Sequence, residues 1–112
     1  MIVGLSGNIV YISGPISETK SAEVTQRLFD DAEALLKNNG YMVLNPLDIP
    51  PPPSWIKDEW AYYMKLALPM VLRADCIYVL EGWSNSKGSK LELHVAERLG
   101  INVFYSPRAE AK

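Results

Sequence analysis

The sequence predicts an α/β fold, a parallel sheet of four to five strands flanked by helices, and three observations predict it. Short runs rich in Val, Ile, Tyr and Phe alternate with longer segments of helical spacing, in the order β-α-β-α-β-α-β. Each connection is long enough for a crossover helix, which parallel neighbours with right-handed connections require. The run "CIYVL" (76–80) is apolar on both faces, as a central strand covered on both sides must be. At 112 residues, with neither a repeat nor a low-complexity stretch, the chain reads as one domain over 1–112.

Each element has its own signal. "IVYIS" (9–13) alternates β-branched and aromatic residues and stops at Gly14-Pro15, a strand ending in a tight turn. The residues before it are either an extra edge strand or a frayed extension. In "KSAEVTQRLFDDAEALLKNNGY" the spacing predicts a helix with Val24, Leu28, Leu35 and Leu36 inward and a stop at Asn39-Gly40. "YMVLNP" (41–46) is a short second strand cut off by Pro46, and the prolines at 50–53 are a stiff extended spacer. Ser54 then caps a helix whose buried stripe is Ile56, Trp60, Met64 and Leu68 and which Pro69 kinks or divides. After the third strand a helix presents Leu91, Val95 and Leu99 on one face and ends at Gly100, and "INVFYS" closes the sheet.

Composition narrows the function classes. With 11 Lys+Arg against 13 Asp+Glu the net charge is −2, whereas a protein neutralising many phosphates is normally basic, so no polynucleotide partner is expected. A small anion needs only a local positive site and stays open as a ligand. The lone Cys76 sits inside the apolar run, has no intrachain disulfide partner and points to a reducing cytoplasm. "MIVGLSGN" lacks the charged and apolar regions of a secretory signal, and no apolar run approaches the length of a membrane span. The expectation is a cytoplasmic protein with no membrane partner.

In open parallel sheets, ligands bind outside the carboxyl ends of the strands. Two polar, glycine-containing loops leave strand ends here, "SGPISETKS" after the first and "EGWSNSKGSK" after the third, and they meet at one crevice if those strands are neighbours. Neither is a familiar phosphate loop: Gly82 and Gly88 are spaced wrongly for a P-loop, and the first loop has one glycine where a dinucleotide fingerprint has three. One His and one Cys make no metal site, so no metal is expected and His94 reads as a surface or packing residue. No Gly-x-Ser-x-Gly is present to support a serine hydrolase. Glu92 carries two readings. Ser89-Lys90-Leu91-Glu92 matches a capping box, in which Ser89 caps the helix and Glu92 bends back to its amide. Alternatively Glu92 faces the crevice, where helix amides with Lys87 and Lys90 favour an anion and the acid attacks or orients the attached sugar.

Taken in order, "YISGP", "RADCIYVLEGW" and Ser86-x-Gly88-x-x-x-Glu92 resemble the nucleoside 2-deoxyribosyltransferase superfamily, which includes 2′-deoxynucleoside 5′-monophosphate N-glycosidases. The likeness is closest to small phage and bacterial members that share the Gly-Trp before the loop, and it runs over residues 9–105. It implies a Rossmann-like, flavodoxin-type domain, a homodimer with sites near the subunit contact, no cofactor, and a small-molecule nucleoside or nucleotide as partner. It implies Glu92 as the nucleophile that takes the anomeric carbon and releases the base, after which water or a second base collects the sugar. Ser86 and Gly88 match positions that hold the sugar or its 5′-phosphate, and Tyr11 and Gly14 match the motif lining the same pocket. Trp83, Trp55 or Tyr62 is a candidate stacking surface for the base, core or interface packing being the plainer role of each.

Three departures from that pattern matter. Counting back eight residues from Asp75 to the family's assisting Asp gives Ala67, so that carboxylate is missing unless Asp58 or Glu59 substitutes from an earlier turn. Ser17 stands where monophosphate-specific members carry Arg, leaving Lys20, Lys87 or Lys90 to compensate. The chain also ends soon after its last strand. Cleavage of an N-glycosidic bond is the leading expectation; a catalytically weak nucleotide-binding module of the same fold is the alternative. A partner-binding domain using the tetraproline segment with Trp55 and Trp60 is a third reading. Trp60, Tyr62, Tyr63 and Met64 give one helix more aromatic surface than a core face needs, which is compatible with a dimer interface.

Overall fold

Strands form where β-branched and aromatic residues run without a break, and helices fill the segments between. The computed structural model describes residues 2, 4, 5, 7–16 and 21–110. Ser17 and Lys20, named above as phosphate-site positions, lie outside the described residues. The elements are β1 (Ile9–Ser13), α1 (Ala22–Asn38), β2 (Met42–Leu44), α2 (Glu59–Arg73), β3 (Cys76–Val79), α3 (Lys87–Leu99) and β4 (Asn102–Tyr105). Single 3-10 turns at Pro46–Asp48 and Trp83–Asn85 interrupt the two longer loops. All pairings are parallel and the strand order is β2-β1-β3-β4, a Rossmann-like α/β sheet with helices on both faces. Among the described residues no helix is long and apolar enough to cross a membrane.

The alternation within the strands divides the core in two. Val10 and Ile12 of β1 with Cys76 and Tyr78 of β3 pack against Phe29, Ala32 and Leu36 of α1. Tyr11, Ile77 and Val79 face the other way, against Val71 of α2 and Leu93 and Ala96 of α3. β3 is buried throughout, as its two-sided apolar sequence requires. Its start is tied to β1 by Asp75, whose carboxylate accepts the amides of Asn8 and Ile9, both at 2.9 Å. Those two bonds hold the Asp75 carboxyl below its usual pKa by stabilising the charged form. The described residues ahead of β1 form no strand; Leu5 is instead a buried core residue.

Helix existence follows the sequence, but helix phase does not. The buried face of α1 is Thr25, Phe29, Ala32 and Leu36; Val24 and Leu28 flank it and Leu35 is exposed. Its cap is Ser21, whose hydroxyl accepts the Val24 amide at 3.3 Å. α2 starts four residues after the expected Ser54, because Asp58 offers a better cap: its carboxylate accepts the Ala61 amide at 3.0 Å. Ser54 and Trp55 belong to a preceding turn closed by the Ile56 amide on the Pro53 carbonyl. α2 is one helix through Pro69; of the expected stripe it buries Met64, together with Ala67 and Val71, while Ile56 precedes the helix, Trp60 is exposed and Leu68 is half-buried. α3 buries Ser89, Glu92, Leu93 and Ala96; Leu91 and Val95 are half-buried and Leu99 is exposed. Residues advance about 100° each around a helix, so one position of error moves a side chain from the core edge to its centre.

Candidate active site

β1 and β3 are hydrogen-bonded neighbours, with Ser13 paired to Val79, so the loops that follow them start side by side. Gly14 makes that approach possible: a Cβ there would lie 2.9 Å from the Leu80 Cβ, closer than two carbons tolerate. A cavity of about 700 Å³ opens at this end of the sheet, between the N-terminal halves of α2 and α3. Its floor is Tyr11, Gly14, Ser86, Ser89 and Glu92.

Glu92 points inward and is 5 % exposed. Tyr11 donates its hydroxyl to Glu92 Oε2 at 2.5 Å, and Ser13 donates to Oε1 at 2.8 Å. Ser13 Oγ also lies 3.1 Å from Ser89 Oγ, and with its one proton given to the carboxylate it accepts from Ser89. Two O–H donors aimed at two oxygens fix both the position and the rotation of the carboxyl group. Burial, and after it the negative charge and hydrogen bond of Glu92, push the Tyr11 phenol well above its ordinary pKa, so it holds its proton as a donor.

The capping box expected at Ser89 is absent. Ser86 is the cap, its hydroxyl accepting the Ser89 amide at 3.1 Å, so the helix begins three residues earlier than that box assumes. The shift puts Glu92 in the second turn, out of reach of the cap, and turns it into the cavity. Gly88 sits in the first turn where a Cβ would meet Met64 Sδ at 3.3 Å, so its lack of a side chain keeps the wall open.

Of the residues singled out in the sequence, Glu92, Tyr11, Gly14, Ser86 and Gly88 line this one cavity. Trp83 stands apart from it: the indole is buried against Tyr105, and its N–H donates to the Glu110 carbonyl at 2.6 Å. Trp55 is 76 % exposed on its turn, and Tyr62 turns away to donate to the Pro50 carbonyl at 3.0 Å. The aromatic wall is made instead by Trp60 and Tyr63, with Met64 and Ala67 below them on α2. Positions 60, 63, 64 and 67 share one helix face, so the aromatic surplus of α2 is turned largely toward the cavity. Asn45 supports the opposite rim, its carbonyl oxygen accepting the Leu47 amide at 2.9 Å beside Pro46. The Lys87 ammonium lies over the Trp60 ring, 4.0 Å from its centroid. Asp58 is committed to capping, whereas Glu59 lines the cavity. His94 is exposed and away from it.

Ser13, Ser89, Trp60 and Tyr63 were not picked out as site residues. Ser13 had a readable signal: it and Tyr11 are two apart in an apolar strand and so share a face, carrying two hydroxyls into a buried layer. Among the described residues no group of three or more His, Cys, Asp or Glu is arranged to hold a metal ion.

Residues 8–105 match the family described as "Domain of unknown function (DUF4406)". No curated protein matches the sequence. Among solved structures, one described as a 2-deoxyribosyltransferase from Bacillus psychrosaccharolyticus superposes with a TM-score of 0.69 at 22 % identity, covering 93 % of this chain and 76 % of that one. A conserved protein from Enterococcus faecalis V583 superposes with a TM-score of 0.66 at 19 % identity, over 89 % of this chain and 63 % of that chain. At such identities the likeness is one of fold.

Proposed function

The chain belongs to the family described as "Domain of unknown function (DUF4406)", and from its site we propose that it cleaves the N-glycosidic bond of a nucleoside or nucleoside 5′-monophosphate, with Glu92 as nucleophile. The observation that carries this reading is the Glu92 carboxylate, buried at the cavity floor and held by the Tyr11 and Ser13 hydroxyls. A carboxylate that only supported the fold would gain nothing from facing a cavity of about 700 Å³, a size that suits a small organic ligand. The deoxyribosyltransferase with the same fold supports the choice of a sugar–base bond as the target.

The reaction follows from the lining. A sugar occupies the polar floor by Ser86, Ser89 and Gly14, and the base occupies the aromatic wall of Trp60 and Tyr63. One Glu92 oxygen attacks the anomeric carbon as the carbon–nitrogen bond breaks, giving a glycosyl ester that water or another base then resolves. Tyr11 and Ser13 hold the carboxylate in line and spare the reaction its orientational entropy. A 5′-phosphate would lie by the first turn of α3, within range of Lys87.

A second reading, a nucleotide-binding module with weak catalysis, is favoured by Ala67, which lines the cavity with a methyl group at the position where the resemblance expects an assisting carboxylate. Both readings meet one experiment. The protein and Glu92→Gln are incubated with ribo- and deoxynucleosides and their 5′-monophosphates, and free base is resolved by chromatography. Base released by wild type and not by Glu92→Gln is the expected result. Thermal stabilisation by a nucleotide without any release establishes the binding module instead.

A further inference from the structure

We propose that Glu110, from the segment after β4, is a positioning residue for the cavity, holding the turn that delivers Asn85 and Ser86 to its lining. Its effect on catalysis rests on the reading of Glu92 as nucleophile; its effect on the turn does not.

The cavity floor is held in two different ways. Glu92 is fixed from the sheet by the Tyr11 and Ser13 hydroxyls, and Ser89 is joined to the same strand through Ser13. Ser86 has no such tie. Among the described residues its hydrogen bonds stay within 83–90. Its amide donates to the Trp83 carbonyl at 2.9 Å, its carbonyl accepts the Lys90 amide at 3.0 Å, and its hydroxyl accepts the Ser89 amide at 3.1 Å. The place of Ser86 therefore depends on the place of the turn Trp83–Asn85. That turn closes on itself, the Asn85 amide donating to the Gly82 carbonyl at 3.1 Å, and Gly82 enters it at φ 86°, where a side chain would be strained.

Glu110 grips the turn from outside with both main chain and side chain. Its carbonyl accepts the Trp83 indole N–H at 2.6 Å. Its Oε1 accepts the Ser84 hydroxyl at 2.9 Å and the Ser84 amide at 3.5 Å. Amides at the start of a turn form a concavity that suits an anion. The Glu110 carboxyl is accordingly held below its usual pKa, first by its own amide and then by the Ser84 hydroxyl, with the Ser84 and Gly82 amides adding to it. Glu110 is anchored in turn. The Ser106 amide donates to the Val79 carbonyl at 2.8 Å, extending the β3–β4 pairing, and the Ala109 amide closes on the Ser106 carbonyl at 2.9 Å. Ala109 packs on the core cluster that contains Trp83, whose ring centroid is 5.6 Å from that of Tyr105. The turn is thus tied to β4, whereas Glu92 is tied to β1.

Two anchors separate two roles. Losing the Glu110 side chain leaves Glu92 on its strand hydroxyls but lets Asn85 and Ser86 move, so a ligand has to reorder them as it binds. That cost is paid in ground state and transition state alike, and it falls on KM rather than on kcat.

Hydrogen exchange and steady-state base release are measured on wild type, Glu110→Ala, Glu110→Gln and Trp83→Phe. The substrate is whichever ribo- or deoxynucleoside or 5′-monophosphate the wild type cleaves fastest. In Glu110→Ala, exchange is expected to quicken about 10-fold at the Ser86, Ser89 and Lys90 amides and to stay unchanged in β1. KM is expected to rise about 10-fold, with kcat within about 3-fold of wild type. Glu110→Gln keeps an oxygen for Ser84 and should recover most of both. Trp83→Phe keeps a ring against Tyr105 and loses the bond to the Glu110 carbonyl, so it should show the same pattern. Combined with Glu110→Ala, its effect should be smaller than the product of the two, because both loosen one turn. Quicker exchange that stops at Ser84 and Asn85, or a fall in kcat with KM unchanged, overturns the assignment. Wild-type protein that releases base from none of the substrates overturns the Glu92 reading, and exchange at Ser86, Ser89 and Lys90 then upholds or overturns the role of Glu110 by itself.

Discussion

Tyr11→Phe isolates the interaction that aims Glu92. The change deletes one oxygen and leaves the ring, which is fully buried, in its place, so packing is almost untouched. What goes is the 2.5 Å bond to a carboxylate that is itself 5 % exposed. A hydrogen bond to a charged group contributes about 1.5–3 kcal/mol, and relief from burying the phenol hydroxyl offsets part of it, so a loss of about 2 kcal/mol is expected near neutral pH. For a chain of this size that lowers Tm by about 8 °C. The pH dependence carries a second signature. The folded phenol has its pKa raised well above its ordinary value of 10.0, chiefly by burial and then by Glu92. Above about pH 10 the unfolded chain therefore sheds a proton that the folded chain keeps, and stability falls as pH rises. Tyr11→Phe lacks that contribution, so its deficit should narrow from about pH 10 upward. Urea unfolding followed by tryptophan fluorescence at several pH values reads both effects. A variant as stable as wild type at pH 7, or a deficit that does not change between pH 9 and strongly alkaline solution, would refute the reasoning.

Four further outcomes follow from the same geometry. Gly14→Ala places a Cβ 2.9 Å from the Leu80 Cβ and should cost about 1–3 kcal/mol in urea unfolding; an unchanged midpoint would mean that the two loops do not approach so closely. Asp75→Asn removes the charge that accepts two backbone amides. Because the folded pKa is depressed below 3.8, the wild-type advantage is present above that value and should disappear as pH falls through the folded pKa; a gap that stays constant in acid would contradict it. Trp60→Leu removes the indole under the Lys87 ammonium and should weaken nucleotide binding about 3- to 10-fold by calorimetry, from the 0.5–1.5 kcal/mol typical of an aromatic pair; unchanged affinity would place the base elsewhere. Glu110→Ala deletes the carboxylate that accepts the Ser84 hydroxyl at 2.9 Å, and hydrogen exchange at Ser84 and Asn85 should accelerate; unchanged protection would show that the turn before Ser86 holds itself.

What was legible in the sequence depends on how far each signal reaches. The central place of β3 was accessible because it is apolar on both faces, and a strand so covered belongs inside the sheet; that β1 lies beside it stayed a condition, since neither strand names its neighbour. Helix phase was not accessible. Ile56, Trp60, Met64 and Leu68 make an apolar stripe as good as any, but α2 must bury Ala67 and Val71 to sit on the sheet. Small residues let a helix approach closely, and a hydropathy pattern scores them below the larger side chains it assigns inward. The same error hid the aromatic wall and left Trp83 as the attractive candidate. A tryptophan beside a binding loop suggests a stacking platform, yet this one is held in the core by Tyr105 and the Glu110 carbonyl, contacts that only the folded C-terminal segment supplies.

The two readings of Glu92 were separated by one serine. A cap at Ser89 would have made the acid part of the helix terminus, whereas a cap at Ser86 starts the helix a turn earlier. Sequence cannot choose between serines three residues apart when both begin acceptable capping patterns. The sheet chooses: Tyr11 and Ser13 both point to the face beneath α3, and two buried hydroxyls on that face require an acceptor. Glu92 meets that requirement only in the register that Ser86 sets. Local capping and the placement of the carboxylate are therefore one choice, made by the strand rather than by the helix.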